Sequence, residues 1–132
     1  MSILIKNAQL VNENTIKSLD VYIEGDTIAK IGPDISIKKA CKTIDANGLY
    51  LIPGAIDDQV HFREPGLTHK ETIKTGSLAA LAGGITSFME MPNTSPQAVT
   101  HDLLEKKFAQ ASKTSYANYS FKFGARTTIL KR

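Results

Sequence analysis

Pro53-Gly54-Ala55-Ile56-Asp57-Asp58-Gln59-Val60-His61-Phe62-Arg63-Glu64-Pro65-Gly66 is the stretch on which the fold turns. Ile56–Phe62 reads as a strand, with a Pro-Gly break before it and a Glu-Pro-Gly turn after it. Side chains two apart on a strand share a side, which puts Gln59 and His61 together. His61, Arg63 and the turn fall at the strand's C-terminal end, where parallel α/β folds and barrels build their sites. About thirty residues on, Met91-Pro92-Asn93-Thr94 ends a second strand, Ile85–Met91, at the same edge. An imidazole, a guanidinium and an amide then converge at one mouth. Imidazole suits zinc, guanidinium grips a planar carboxylate through two parallel hydrogen bonds, and the Asn93 amide adds a donor. A metal beside an anion clamp suggests hydrolysis of a carboxylate-bearing substrate.

Downstream of the turn, Thr68-His69-Lys70-Glu71 has the form of a capping box. The helix it opens carries Ile73, Ser77, Leu78 and Leu81 at helical spacing, and Gly83-Gly84 closes it. Thr100 caps a second helix, with Leu104, Phe108 and Ala111 at i, i+4 and i+7. The faces holding Leu78, Leu81, Leu104 and Phe108 are read as core. Tyr116–Phe123 alternates, with Ala117, Tyr119, Phe121 and Phe123 on one face. From residue 54 the order is β-α-β-α-β, the mark of a parallel α/β sheet, either doubly wound or part of a (β/α)8 barrel. Pattern alone leaves those two open.

Upstream lie short strands, giving a small all-β unit over residues 1–53. Ser2–Lys6 and Gln9–Asn12 are brief, partly apolar runs. Val21–Ile23 and Thr27–Ile31 flank Glu24-Gly25-Asp26, a hairpin signal. Lys42–Ala46 and Leu49–Ile52 flank Asn47-Gly48, a stronger one.

Composition narrows the function classes. With 42% hydrophobic and 22% charged residues the 132-residue chain is globular, and no run approaches the ~20 apolar residues of a membrane span. No basic-then-apolar leader opens it. The single cysteine, Cys41, has no internal partner, so a reducing cytoplasm is expected. Cys41 is read as a small buried or half-buried residue, since no base accompanies it. The net charge of +3 sits in residues 126–132, which hold three basic and no acidic side chains. Residues 1–125 balance at 13 of each sign, so no basic patch supports nucleic-acid binding.

The paired motifs give the chain a family resemblance. Amidohydrolases open their barrel with Pro-Gly-x-Ile-Asp-x-His-x-His. Dihydroorotases extend this with Arg-Glu-Pro-Gly and then Met-Pro-Asn-Thr, matched here at Arg63–Gly66 and Met91–Thr94. Over residues 1–125 the chain resembles a dihydroorotase of the amidohydrolase superfamily. The resemblance implies a small sandwich-like β domain over 1–53, then the first β-α-β-α-β part of a (β/α)8 metal-dependent hydrolase barrel over 54–125. It implies cleavage of a cyclic amide C–N bond, interconverting dihydroorotate and N-carbamoyl-aspartate in pyrimidine biosynthesis. It implies zinc as cofactor, with His61 as a ligand and metal-bound hydroxide as the attacking group. Arg63 and Asn93 take the positions that hold the substrate carboxylate. A homo-oligomer or a carbamoyltransferase partner is implied for the full-length family; no nucleic acid or membrane is.

Two departures qualify this. Gln59 stands where the family has its first histidine ligand, and an amide is a poorer zinc ligand than imidazole. The family's bridging carboxylate, later histidines and catalytic aspartate come from later strands, so no catalytic residue is assigned in this chain. A (β/α)8 barrel needs at least ~200 residues, against 79 in residues 54–132. Residues 126–132 also replace the family's Thr-Asn-Asp-Asn-type run. A back-translation of Ala125–Arg132, shifted by one base, encodes Thr-Asn-Asp-Asn-Leu-Glu-Glu. The expectation is therefore an aberrant, frameshifted tail on a truncated, inactive fragment, poorly stable because its sheet edges stay open. The alternatives are a non-catalytic homologue serving as a structural partner, which Gln59 favours, and another cyclic amidohydrolase, an allantoinase or hydantoinase.

Five further acidic or imidazole side chains lie near these motifs. Adjacent strand residues face opposite sides, so Asp57 and Asp58 are not a catalytic pair. Asp57 is read as structural or as orienting a neighbour, and Asp58 as solvated. His69 and His101 are surface residues of first helical turns. Glu90, on the second strand, is left open between a structural place and one near the site.

Overall fold

The computed structural model describes residues 1–125; the proposed aberrant tail, 126–132, lies outside the described residues. The chain divides into two compact units, Met1–Pro53 and one beginning at Gly54.

The first unit is a five-stranded sheet. β1 (Ser2–Asn12) runs antiparallel to β2 (Thr15–Glu24), which pairs antiparallel with β3 (Thr27–Gly32). The two runs expected as separate strands, Ser2–Lys6 and Gln9–Asn12, are one strand interrupted by a bulge. Asn7 sits in that bulge with φ 61. Its N–H donates to Asp20 Oδ1 at 2.9 Å, and the other Asp20 oxygen accepts the Ile35 N–H at 2.9 Å. One buried carboxylate thus satisfies two backbone donors that the sheet ladder leaves out. The Glu24–Thr27 hairpin forms as read, with Gly25 at φ 68. Glu13 and Asn14, φ 48 and 58, make another two-residue hairpin that the sequence reading passed over.

The Asn47-Gly48 hairpin does not form. β4 (Lys42–Asp45) and β5 (Tyr50–Leu51) both pair parallel with β1, at Ile3–Lys6 and Gln9–Leu10 respectively. The turn steps the chain past the β1 bulge instead of reversing it. Ala46 N–H bonds Lys6 O and Gln9 N–H bonds Leu49 O on either side. Leu4, Tyr22 and Ile35 form this unit's buried cluster, with half-buried Cys41 and Ile37 packed against it.

The second unit is β-α-β-α-β: β6 (Ala55–Val60), α1 (Ile73–Ala82), β7 (Ile85–Glu90), α2 (His101–Thr114) and β8 (Asn118–Phe121). The three strands are parallel in the order β6-β7-β8. Consecutive parallel strands with helical crossovers have the arrangement that opens a (β/α)8 barrel, and one half of a doubly wound sheet shares it. The helices cover one sheet face. There Ile73, Phe88, Ala111, Ala117 and Phe121 are buried, and Val60, Phe62, Leu104 and Phe108 pack against them. Gly76 lets α1 meet the Phe62 ring; a Cβ there would lie 2.7 Å from a ring carbon. The opposite sheet face carries exposed Ile56 and Met89.

Helix α1 corrects the reading in two places. Its N-cap is Thr72, not Thr68, and the reciprocal partner is Thr75, not Glu71. Thr72-x-x-Thr75 does the capping because Leu67–Lys70 is held in a turn by Leu67 N–H to Arg63 O and Lys70 N–H to Leu67 O. Starting there, the helix buries Ile73, Gly76 and Ser77 and leaves Leu78 and Leu81 exposed, so those leucines are not core of this unit. Thr100 caps α2 as expected, accepting the Leu103 N–H.

Candidate functional site

The C-terminal ends of the three strands lie at one edge, tied by Met91 N–H to Val60 O at 2.9 Å and Lys122 N–H to Glu90 O at 2.8 Å. Two loops rise from that edge, 61–72 after β6 and 91–100 after β7. At the end of β6 Asp57 Oδ1 accepts the Gln59 N–H, where the pairing with β7 shifts register. Asp57 is thus structural. Beyond the shift, Val60 and Phe62 pack toward the core while Gln59, His61 and Arg63 are exposed.

His61 Nδ1 lies 3.1 Å from Asn93 Oδ1. A carboxamide oxygen only accepts, so Nδ1 carries the proton. That leaves the Nε2 lone pair available and frees the Asn93 Nδ2–H donors. Two of the four singled-out residues, thirty-two positions apart, therefore meet. Arg63 is exposed, and its guanidinium makes no ion pair or hydrogen bond among the described residues. Gln59 is exposed as well.

The two loops also interlock through their backbones. Ser95 N–H donates to Pro65 O at 3.2 Å, and Gly66, at φ +98, sits so close that a Cβ would fall 2.2 Å from Ser95 O. Only glycine fits there. Thr94, buried, closes the second loop on itself through Oγ1–H to Pro96 O.

Beneath the mouth lies a set of charges that sequence reasoning largely missed. Glu64 Oε2 accepts the Ile73 N–H at the start of α1 at 2.8 Å, and Oε1 accepts from Gln110 Nε2 on α2 at 3.0 Å. The residue next to Arg63 is thereby fixed to both helices. Glu90 and Lys107 form a buried ion pair, 0% and 2% exposed, with Nζ 2.7 Å from Oε2. The ammonium also approaches Met91 O at 3.5 Å and lies over the Phe121 ring, 4.8 Å from its centre. Apart from the Lys107 contact, neither Glu90 oxygen has a partner among the described residues. Burial pushes the Glu90 carboxyl up to about 7, opposed by Lys107 and, more weakly, His61, and aided by Glu64. A signal for this pair exists in the sequence: Lys107 is a charge on the same face as Leu104 and Ala111, and Glu90 is a charge in an apolar strand. His101 is exposed and stacks loosely on Phe123, ring centres 5.7 Å apart; His69 is exposed.

Among the described residues no three His, Cys, Asp or Glu side chains gather as a metal set. One imidazole and one amide fall short of a four-coordinate zinc site. His61 suits the role of a single ligand; the described residues do not by themselves fit the metal. No helix of the described residues is long and apolar enough to cross a membrane.

Comparison with known proteins adds three findings. The family described as Dihydro-orotase-like matches residues 48–125. The dihydroorotase of Lactococcus lactis subsp. lactis (strain IL1403) is 47% identical over 115 residues, covering 86% of this chain and 27% of that protein. That of Methanosarcina acetivorans is 39% identical over 127 residues, 96% of this chain and 27% of its own length. The chain thus spans about a quarter of the curated relatives it matches. Among solved structures, L-hydantoinase (dihydropyrimidinase) from Arthrobacter aurescens matches with TM-score 0.91 at 31% identity, covering 98% of this chain and 29% of that one. Dihydropyrimidinase from Brevibacillus agri NCHU1002 gives 0.83 at 29% identity, covering 99% and 29%.

Proposed function

The chain belongs to the dihydroorotase-like family of metal-dependent cyclic amidohydrolases, and from that premise we propose that it supplies the carboxylate-binding mouth of a dihydroorotase. The observation that carries this is the meeting of His61 and Asn93 across the two interlocked motif loops, with Arg63 exposed beside them. In this proposal Arg63 takes the substrate carboxylate by two parallel hydrogen bonds, and Asn93 donates its freed Nδ2–H to the same group. Arg63 gains its position from Glu64, which is fixed at both oxygens. His61, held in one tautomer by Asn93, offers Nε2 to zinc, and Gln59 stands at the position of a second ligand. Zinc, when bound, supplies polarisation of the amide carbonyl and an activated water. Since the described residues give it one imidazole, the 132 residues are not proposed to turn over substrate alone. The substrate pair is dihydroorotate and N-carbamoyl-aspartate, the setting the cytoplasm, and an oligomer or carbamoyltransferase partner belongs to the same proposal.

The relatives named dihydroorotase reach 39–47% identity, above the 31% and 36% of two hydantoinase structures, which supports the dihydroorotase reading over a hydantoinase one. Gln59 favours a second reading, a non-catalytic homologue that serves as a structural partner. A chimera tests both: residues 1–125 replace the matching part of the Lactococcus lactis enzyme, with Gln59 or with Gln59→His. Turnover of dihydroorotate by either form supports the enzyme reading. If both fold and bind zinc yet neither turns over, the non-catalytic reading stands instead.

A further inference from the structure

Helix α2 reaches both mouth loops through two side chains. Lys107 Nζ lies 2.7 Å from Glu90 Oε2 and 3.5 Å from Met91 O, on the two residues that lead into Pro92-Asn93. Gln110 Nε2 donates to Glu64 Oε1 at 3.0 Å, and Glu64 directly follows Arg63. Positions 107 and 110 are three apart, so they share a face of the helix. One turn of α2 thus holds the foot of each loop, Lys107 the one after β7 and Gln110 the one after β6. Packing alone does not need the ion pair: an apolar pair of like volume fills such a site as well or better. What the ammonium adds is a directed contact to the Met91 carbonyl. The far parts of the loops are tied separately, by Ser95 N–H to Pro65 O. Across the loops, His61 Nδ1 meets Asn93 Oδ1 at 3.1 Å.

We propose that α2 is the positioning element of the mouth: Lys107 and Gln110 set the spacing of the two loops, and with it the separation of Arg63 from Asn93. Taken with the reading of those two residues as the carboxylate clamp, on which this rests, the helix fixes the bite of that clamp. Lys107 and Gln110 are positioning residues. Gln110 acts through Glu64, and Lys107 through Glu90 and Met91. A guanidinium and an amide that share one carboxylate need a fixed separation, since a misplacement of about 1 Å is enough to spoil a two-point grip.

The bond between His61 and Asn93 spans the loops and so reports their spacing. The test follows the His61 tautomer in the 132-residue chain by imidazole nitrogen NMR, at a pH where imidazoles are neutral. Wild-type His61 is expected in the Nδ1–H form that Asn93 selects, while exposed His69 and His101 report the free ring, in which Nε2–H prevails. Gln110→Ala removes one foot. Glu90→Leu with Lys107→Met removes the other and fills its volume, so stability is expected at or above wild type. Each variant is expected to lower the Nδ1–H to Nε2–H ratio of His61 about fivefold, the loss of roughly 1 kcal/mol. A merely structural pair would leave that ratio unchanged once the apolar replacement keeps the fold. The proposal is overturned if the ratio holds in either folded variant, or if wild-type His61 matches His69 and His101. Where the double variant does not fold, Gln110→Ala decides alone. The readout uses no substrate, so an unchanged ratio in the variants leaves the carboxylate reading standing; that reading is decided separately, by whether a carboxylate-bearing ring is preferred.

Discussion

Replacing Lys107 with Met removes the ammonium that faces Glu90 while keeping much of its aliphatic volume. Both side chains are buried, 2.7 Å apart, and breaking such a pair from one side costs about 3–5 kcal/mol, because the other charge stays buried alone. The cost depends on pH. Burial raises the Glu90 carboxyl from 4.5 to about 7, so the folded state holds this proton more tightly than the unfolded chain does. The resulting stabilisation is fully present below the unfolded value of 4.5 and is lost as pH rises through about 7. At 1.36 kcal/mol per unit, the swing is on the order of 3 kcal/mol. Lys107→Met raises the carboxyl further, so its full cost falls above neutrality. At about pH 5, with Glu90 neutral, only the contacts to Phe121 and Met91 O are lost, roughly 1–2 kcal/mol. Glu90→Gln should flatten the pH dependence between those limits. Urea unfolding near pH 5 and pH 8, followed by far-UV circular dichroism, measures both, and hydrogen exchange of β7 amides localises the effect. Equal destabilisation by Lys107→Met at the two pH values would refute the reasoning, as would an unchanged pH slope in Glu90→Gln.

Gly66→Ala forces an L side chain into φ +98 and against Ser95 O. It should destabilise by about 2–4 kcal/mol and cost the Ser95 amide its exchange protection, both read from one exchange experiment. In the first unit, Asp20→Ala strips the acceptors from Asn7 and Ile35 N–H. A loss of about 2–4 kcal/mol is expected, with Asp20→Asn milder because one carbonyl acceptor remains; denaturant midpoints check the order.

How much of this was legible follows from which interactions are local. The β-α-β-α-β order and the Thr100 cap were readable because strand period and caps are written within a few residues. The Asn47-Gly48 error arose because a turn signal gives a change of direction but not the partner. Here β1, bulged at Asn7, accepts two parallel segments in succession. The α1 start was misplaced because Thr68-x-x-Glu71 and Thr72-x-x-Thr75 both present capping hydroxyls, and the turn from Arg63 to Lys70 chooses between them. In the site, motif spacing brought His61 and Asn93 to the same edge, and their side chains do meet. The Glu90–Lys107 pair is a contact between a strand and a helix seventeen residues later, visible beforehand only as two charges in apolar settings. Glu64 looked like part of a turn; its two bonds need the placement of both helices.

The most direct test of the central claim is substrate preference in the chimera that joins residues 1–125 to the rest of the Lactococcus lactis dihydroorotase. Zinc-supplied turnover of dihydroorotate is compared with that of dihydrouracil, the same ring without its carboxylate. If Arg63 and Asn93 form a carboxylate clamp, dihydroorotate is preferred by at least about a hundredfold, and Arg63→Ala removes most of that preference by raising KM. Equal use of the two rings, or a preference that survives Arg63→Ala, would contradict the claim.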